Sequence, residues 1–235
     1  MESRNWGIAG IGKLGTAILK QLELKTYIGF YHPDQRKVDA FSHSFPNHIP
    51  LTKADLAELD YLLLALPANQ IVPFVNDLEA AHISLQKPVL VNLATMMKTS
   101  DLRREFPRLK WIGVKYMGHS EDLFQRGNGL FVMEQSAAPS PEVERVQQLF
   151  SRIGQVYIDS ESTLEEVNKL ATYHAIKGAM ELEEAFRAAG YRKEYVMRAL
   201  SSIAPEVIRS YANGTLGHFG RMIAEQLNNG EHERN

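Results

Sequence analysis

The sequence predicts an α/β fold: a doubly wound, mostly parallel sheet followed by a smaller all-helical region. Three observations carry this. Short apolar segments alternate with amphipathic ones through the first two-thirds of the 235 residues. Several apolar segments are continuous, as strands buried on both faces are. After Asp159 the strand-like segments cease and the pattern turns helical. The expected domains are therefore 1–159 and 160–235.

The elements follow in order. Trp6–Ala9 reads as a strand, and residues 13–24 as an amphipathic helix. Tyr27–Tyr31 ("YIGFY") is a second strand. Short helices are expected over "DQRKVDAFSHSF" and "DLAEL". Asp60–Leu66 is apolar after its first residue and reads as a buried strand, with "QIVPFVNDLEAAH" helical in part and "PVLVNLA" a further buried strand. "WIGVKYM", "GLFVME" and "GQVYID" complete the strands. Between the last two, Ser140 is an expected N-cap, Pro141 opens a helix and Gly154 lies past its end. In the second region, Ser162 and Glu165 read as a capping box and Gly190 as a stop. Leu164, Val167, Ala171, Ala175, Leu182 and Phe186 give a rough apolar stripe between them. More helix follows, interrupted near Pro205 and ending around Leu227, with "NNGEHERN" expected as a disordered tail. These helices offer too few faces for a generous core, and should pack on the sheet domain or on another subunit.

Composition narrows the function classes. Apolar residues make up 44% of the chain and the net charge is −2, which gives neither a nucleic-acid footprint nor an anionic-membrane surface. The absence of cysteine excludes disulfides, thiolate nucleophiles and thiolate metal sites. The longest apolar run, "YLLLALPA", is too short to cross a bilayer, and "MESRNW" has no segment of signal-peptide length. A cytoplasmic protein is the expectation. His43 and His48 lack a zinc-ligand spacing, "GHSED" cannot form a triad from adjacent residues, and no P-loop lysine follows Gly15.

The positive signal lies in "WGIAGIGKLGTAILKQL". Gly10, Gly12 and Gly15 stand where a strand must become a helix. In a Rossmann-type dinucleotide fold the first such glycine permits the tight turn, the second admits a pyrophosphate and the third lets helix and strand pack closely. Amides at the helix start then favour the anion. Gly10, Ile11, Gly12, Lys13, Leu14 and Gly15 are thus expected to bind a dinucleotide. The end of the second strand selects between NAD and NADP. It reads "FYHPDQRK", with no acid directly at the strand end. His32 and Arg36 favour the 2′-phosphate of NADP, with NAD as the alternative should Asp34 read the ribose instead of capping the next helix.

With these segments in place, the chain resembles the pyrroline-5-carboxylate reductase family, within a wider group that includes deazaflavin-dependent NADP reductases. "GIAGIGKLGTAIL" resembles the family's dinucleotide loop. "DYLLLALPANQI" stands at its turn over the cofactor, implicating Leu66 and Pro67, and "VLVNLATMM" at its Ala-Gly turn, implicating Ala94 and Thr95. "VKYMGHSEDLFQRGNGLFVM" resembles its Arg-x-Met-Pro-Asn-Thr-Pro segment, and "EEAFRAAGYRKEYVMRAL" its helix–turn–helix. The resemblance implies a Rossmann domain, NADP, a small-molecule substrate and a homodimer formed through the helical domain. It departs where Gly118-His119-Ser120-Glu121 replaces Pro-Asn-Thr-Pro, and where "ATYHAIK" replaces the family's Ser-Gly-Ser-Gly-Pro-Ala.

Reduction of an imine or carbonyl needs a proton donor beside the nicotinamide. His119, Lys169 and His174 are the candidates, with Tyr173 sharing a helix face with Lys169 and Lys177 a further helix lysine. Two functions stay open: an NAD(P)-dependent reductase of a small imine or carbonyl compound, and a non-catalytic dinucleotide-binding regulator.

Overall fold

The computed structural model describes residues 5–23, 25–134 and 140–232. The strands are β1 (Trp6–Ala9), β2 (Ile28–Tyr31), β3 (Tyr61–Leu64), β4 (Val89–Asn92), β5 (Lys110–Met117), β6 (Gly129–Met133) and β7 (Gly154–Ile158). Between them lie α1 (Lys13–Leu22), α2 (Gln35–Ser44), α3 (Ala68–Ala80), α4 (Thr99–Glu105), α5 (Ser120–Arg126) and α6 (Pro141–Ser151). The sheet runs β2-β1-β3-β4-β5-β6-β7, and among the described residues only the β5–β6 pairing is antiparallel. This is the doubly wound architecture the sequence predicts.

Side chains alternate across the sheet. Ile8, Phe30, Leu63, Val91 and Val114 join one core with Ala17 and Ile18 of α1, Leu123 of α5 and Phe150 of α6. Ala9, Tyr31, Leu62, Leu64 and Leu90 join the other with Ile71 and Val75 of α3 and Leu102 of α4. Helix α1 is tied to α5, for Gln21 Nε2 donates to the carbonyls of Leu123 and Phe124 at 2.9 and 3.3 Å. The ammonium of Lys20 also sits 3.7 Å from the centre of the Phe124 ring.

Beyond β7 come α7 (Glu161–Ala188), α8 (Lys193–Arg198), α9 (Ala204–Ala212) and α10 (His218–His232). The chain divides into two compact units, the first ending at Lys169 and the second beginning at Leu170. The division therefore falls inside α7, ten residues later than the change of sequence pattern at Asp159. Among the described residues, no helix is long and apolar enough to cross a membrane.

Several local expectations need correction. Helix α1 ends at Leu22, and Leu24 lies outside the described residues. Ser162 does not cap α7: the helix begins at Glu161, Ser160 Oγ accepts from Ser162 N at 3.2 Å, and Glu165 pairs with Lys169. The interruption near Pro205 is a π turn over Ala199–Ile203, with Ala204 N donating to Ala199 O. Widening the helix by one residue accommodates a proline that lacks a donor and crowds the preceding turn. Residues 228–232, expected in a disordered tail, continue α10. Helices α4 and α5 were not expected; each is seven residues long, shorter than the roughly 11 residues over which helical periodicity can be read.

Candidate functional site

The three glycines sit in three different surroundings. Gly10 N donates to Tyr31 O at 3.1 Å, and its φ of +101° is a conformation side chains resist. A Cβ there would also lie 2.5 Å from the Ala65 carbonyl oxygen. At Gly12, the N-cap of α1, a Cβ would meet nothing within 4 Å, so the backbone faces open space. At Gly15 a Cβ would fall far inside contact with the Gly10 carbonyl, because the helix is pressed onto the turn. Thr16 Oγ1 donates to Ile11 O at 3.0 Å and pins the loop. No side chain caps α1, which leaves the first-turn amides at Lys13, Leu14 and Gly15 without a side-chain acceptor.

A groove of about 480 Å³ opens from this turn. Of the expected cofactor residues, Gly10, Ile11, Gly12, His32, Leu66 and Pro67 line it; Lys13, Leu14, Gly15, Arg36, Ala94 and Thr95 do not. Asp34 caps α2, its Oδ1 accepting from Arg36 N at 3.0 Å. His32 Nδ1 accepts from Asp34 N at 3.0 Å, which places the hydrogen of the neutral ring on Nε2. Arg36 is exposed on α2. The cation that does line the groove is Lys53, paired with Asp77 of α3 at 2.5 Å. Tyr31 lies beside this pair, and burial raises its phenol pKa.

The turn after β4 holds Ala94 and Thr95, and a buried network shapes it. Lys115 of β5 is fully buried. Its Nζ donates to the carbonyls of Ala94 at 2.7 Å, Met97 at 2.9 Å and Asn92 at 3.4 Å, and lies 3.4 Å from Glu161. Glu161 also accepts from Thr99 N and Oγ1 at 2.8 and 2.6 Å. Asn92 Nδ2 donates to Met97 O and Thr99 Oγ1, and its Oδ1 accepts from Ala94 N. Gly113 makes room for the Glu161 carboxylate, with which a Cβ would collide. Burial lowers the Lys115 pKa to about 8, against the pull of Glu161. Sequence reasoning missed Lys115 and Glu161; the available signal was a lysine inside the apolar run "WIGVKYM".

The three expected proton donors are not brought together by any contact among the described residues. His119 is exposed at the end of β5 and caps α5, its Nδ1 accepting from Glu121 N at 3.3 Å. Its backbone carbonyl accepts from the Tyr116 hydroxyl at 3.2 Å. Lys169 closes the first unit, 63% exposed and paired with Glu165 at 2.6 Å. His174 lies in the second unit, with its ring edge-on to Tyr173. Lys177 pairs with Glu181 at 3.7 Å.

The sequence matches no protein-family model and no curated protein. Solved structures do match in fold. A pyrroline-5-carboxylate reductase from Coxiella burnetii superposes with a TM-score of 0.67 at 16% identity, over 99% of this chain and 93% of its own. The pyrroline carboxylate reductase of Plasmodium falciparum, solved with NADP bound, gives 0.62 at 13% identity, over 100% and 93%. An imine reductase from Myxococcus stipitatus in complex with NADP+ gives 0.64 at 15% identity, over 89% and 75%. The chain has the fold of these reductases: a Rossmann-type sheet followed by helices.

Proposed function

We propose that this chain is an NAD(P)-dependent oxidoreductase that reduces a small imine or carbonyl compound. The observation that carries the reading is the turn at Gly10–Gly15. Gly10 and Gly15 each answer a steric demand of the fold, and Gly12, where a Cβ would meet nothing, leaves open space where a pyrophosphate would come. Solved structures of the same fold bind NADP, which supports NADP(H) as cofactor with NAD(H) as the alternative. The first-turn amides of α1 would hold the pyrophosphate, the groove past Leu66, Pro67 and His32 the adenosine half, and the turn with Ala94 and Thr95 would face the nicotinamide half. When bound, the cofactor supplies hydride.

The proton must come from the protein or from water. His119 is the best placed of the three candidates, because it stands at the end of β5, next in the sheet to β4, whose end carries Ala94 and Thr95. Its capping bond occupies Nδ1 and leaves Nε2–H to donate. Lys169 and His174 are the other candidates, the one ending the first unit and the other within the second. A homodimer is proposed to form through the helical unit, which exposes Leu170, Tyr173, Ile176, Met180, Ile208 and Phe219.

The test is titration of purified protein with NADPH and NADH, followed by absorbance at 340 nm with a panel of cyclic imines and small ketones. Saturable binding, its loss in folded Gly12→Asp, and turnover of at least one substrate are expected. Binding without turnover of any substrate would favour a non-catalytic dinucleotide-binding protein. Unchanged affinity in Gly12→Asp would refute the placement.

A further inference from the structure

The groove at the glycine turn is lined by a polar pair as well. Gly10 is bonded to Tyr31, the Tyr31 ring lies 6.0 Å from that of Phe74, and Lys53, in the same lining, meets Asp77 at 2.5 Å. Apolar side chains make up much of the remaining lining, with Leu66 and Phe74 half-buried beside Pro67 and Pro73. A groove that combines such apolar surface with one donor and one acceptor suits a flat heteroaromatic ring with hydrogen-bonding groups on its edge.

As a surface ion pair, Lys53–Asp77 would contribute little to stability. Its construction is nevertheless specific. Lys53 precedes a 3₁₀ turn (Ala54–Glu58), and Asp77 belongs to the third turn of α3, so two separate elements meet at this point. The backbone before Lys53 is fixed, because Thr52 N and Oγ1 both donate to Asp55 Oδ2 at 2.7 Å. Both members stay accessible, at 41% and 63% side-chain exposure.

Resting on the dinucleotide reading above, we infer that Lys53 and Asp77 read the edge of the adenine base, Asp77 accepting from its 6-amino group and Lys53 donating to the adjacent ring nitrogen. The pair would then decide which base the groove accepts, separately from any choice at the ribose. Hypoxanthine presents the opposite pattern on that edge. Its 6-oxo group is an acceptor facing the carboxylate, and its ring N–H is a donor facing the ammonium.

The test compares NADPH with its hypoxanthine counterpart, and NADH with its own, on wild type and the double variant Lys53→Ala/Asp77→Ala. Wild type is expected to bind the adenine form of each pair about tenfold more tightly, the lower end for a hydrogen bond to a charged group at a solvent-exposed site. In the double variant, checked for fold by circular dichroism, the ratio should fall to within about twofold of one. Equal binding of the two bases by wild type, or a preference retained in the double variant, overturns the inference while leaving dinucleotide binding intact. If no form binds wild type, the dinucleotide reading itself fails and this inference with it.

Discussion

Leu63 in β3 and Ile176 in α7 are both large aliphatic residues. The first is fully buried; the second is 55% exposed. The contrast holds for the units they belong to. Up to Leu164 the chain supplies two cores, one on each face of the sheet. Among the described residues after Leu164, only Ala199 is buried, while Met180, Ile208 and Phe219 stand 64–73% exposed. Exposed apolar surface on this scale is what an association surface looks like. The sheet unit carries its own packing, while the helical unit leaves its large apolar side chains exposed.

The largest effects should come from breaking each unit in its own way. Phe131 is fully buried against Tyr116 and Phe150. Phe131→Ala should cost about 3–5 kcal/mol in urea unfolding, independent of protein concentration. With the proposed homodimer formed through the helical unit, Ile176→Asp should leave the sheet unit folded but halve the mass measured by light scattering; an unchanged mass would remove Ile176 from any dimer contact.

A smaller and pH-dependent effect is expected at Lys115. Lys115→Met leaves the Glu161 carboxylate buried without its cation, and should cost about 3 kcal/mol at pH 7. Because the Lys115 pKa is lowered from 10.5 to about 8, the folded protein loses this proton before the unfolded chain does. Between those values the unfolded state binds more protons, so stability contributed by this group rises with pH, at no more than about 1.4 kcal/mol per unit. Urea titrations from pH 7 to 10 should show that rise in wild type and not in Lys115→Met. The smallest effect is expected at Lys169, whose partner Glu165 is one helical turn away. Lys169→Ala should change stability by less than about 0.5 kcal/mol. If turnover nevertheless falls by a hundredfold or more, Lys169 belongs to the chemistry.

What was legible in the sequence depended on locality. The glycine turn could be read because its three glycines lie within six residues, and Asp34 as a helix cap because its partner is two residues on. Ser140 capping α6 could be read for the same reason, with Val143 N donating to its hydroxyl. Arg36, the cation the sequence offered, does not line the groove. Lys53, which does line it, is brought there by a segment that pairs alongside β2 through Phe30 and Pro50, a contact that leaves no local pattern. Lys115 and Glu161 meet across 46 positions, and the Glu161 carboxylate fits there because Gly113 leaves room for it. Neither charge looks buried when read one residue at a time.

The environment of Lys115 can also be viewed as coordination chemistry. Three carbonyl oxygens and a carboxylate around one positive charge form the kind of oxygen shell that hard cations take. Here the cation is covalently tethered to β5. A loop organised by a free ion would depend on ion concentration and could be disordered by chelators. The turn at Ala94 has no such dissociation equilibrium. It can lose its central charge only through loss of a proton, which makes its shape indifferent to ionic composition and sensitive to alkali.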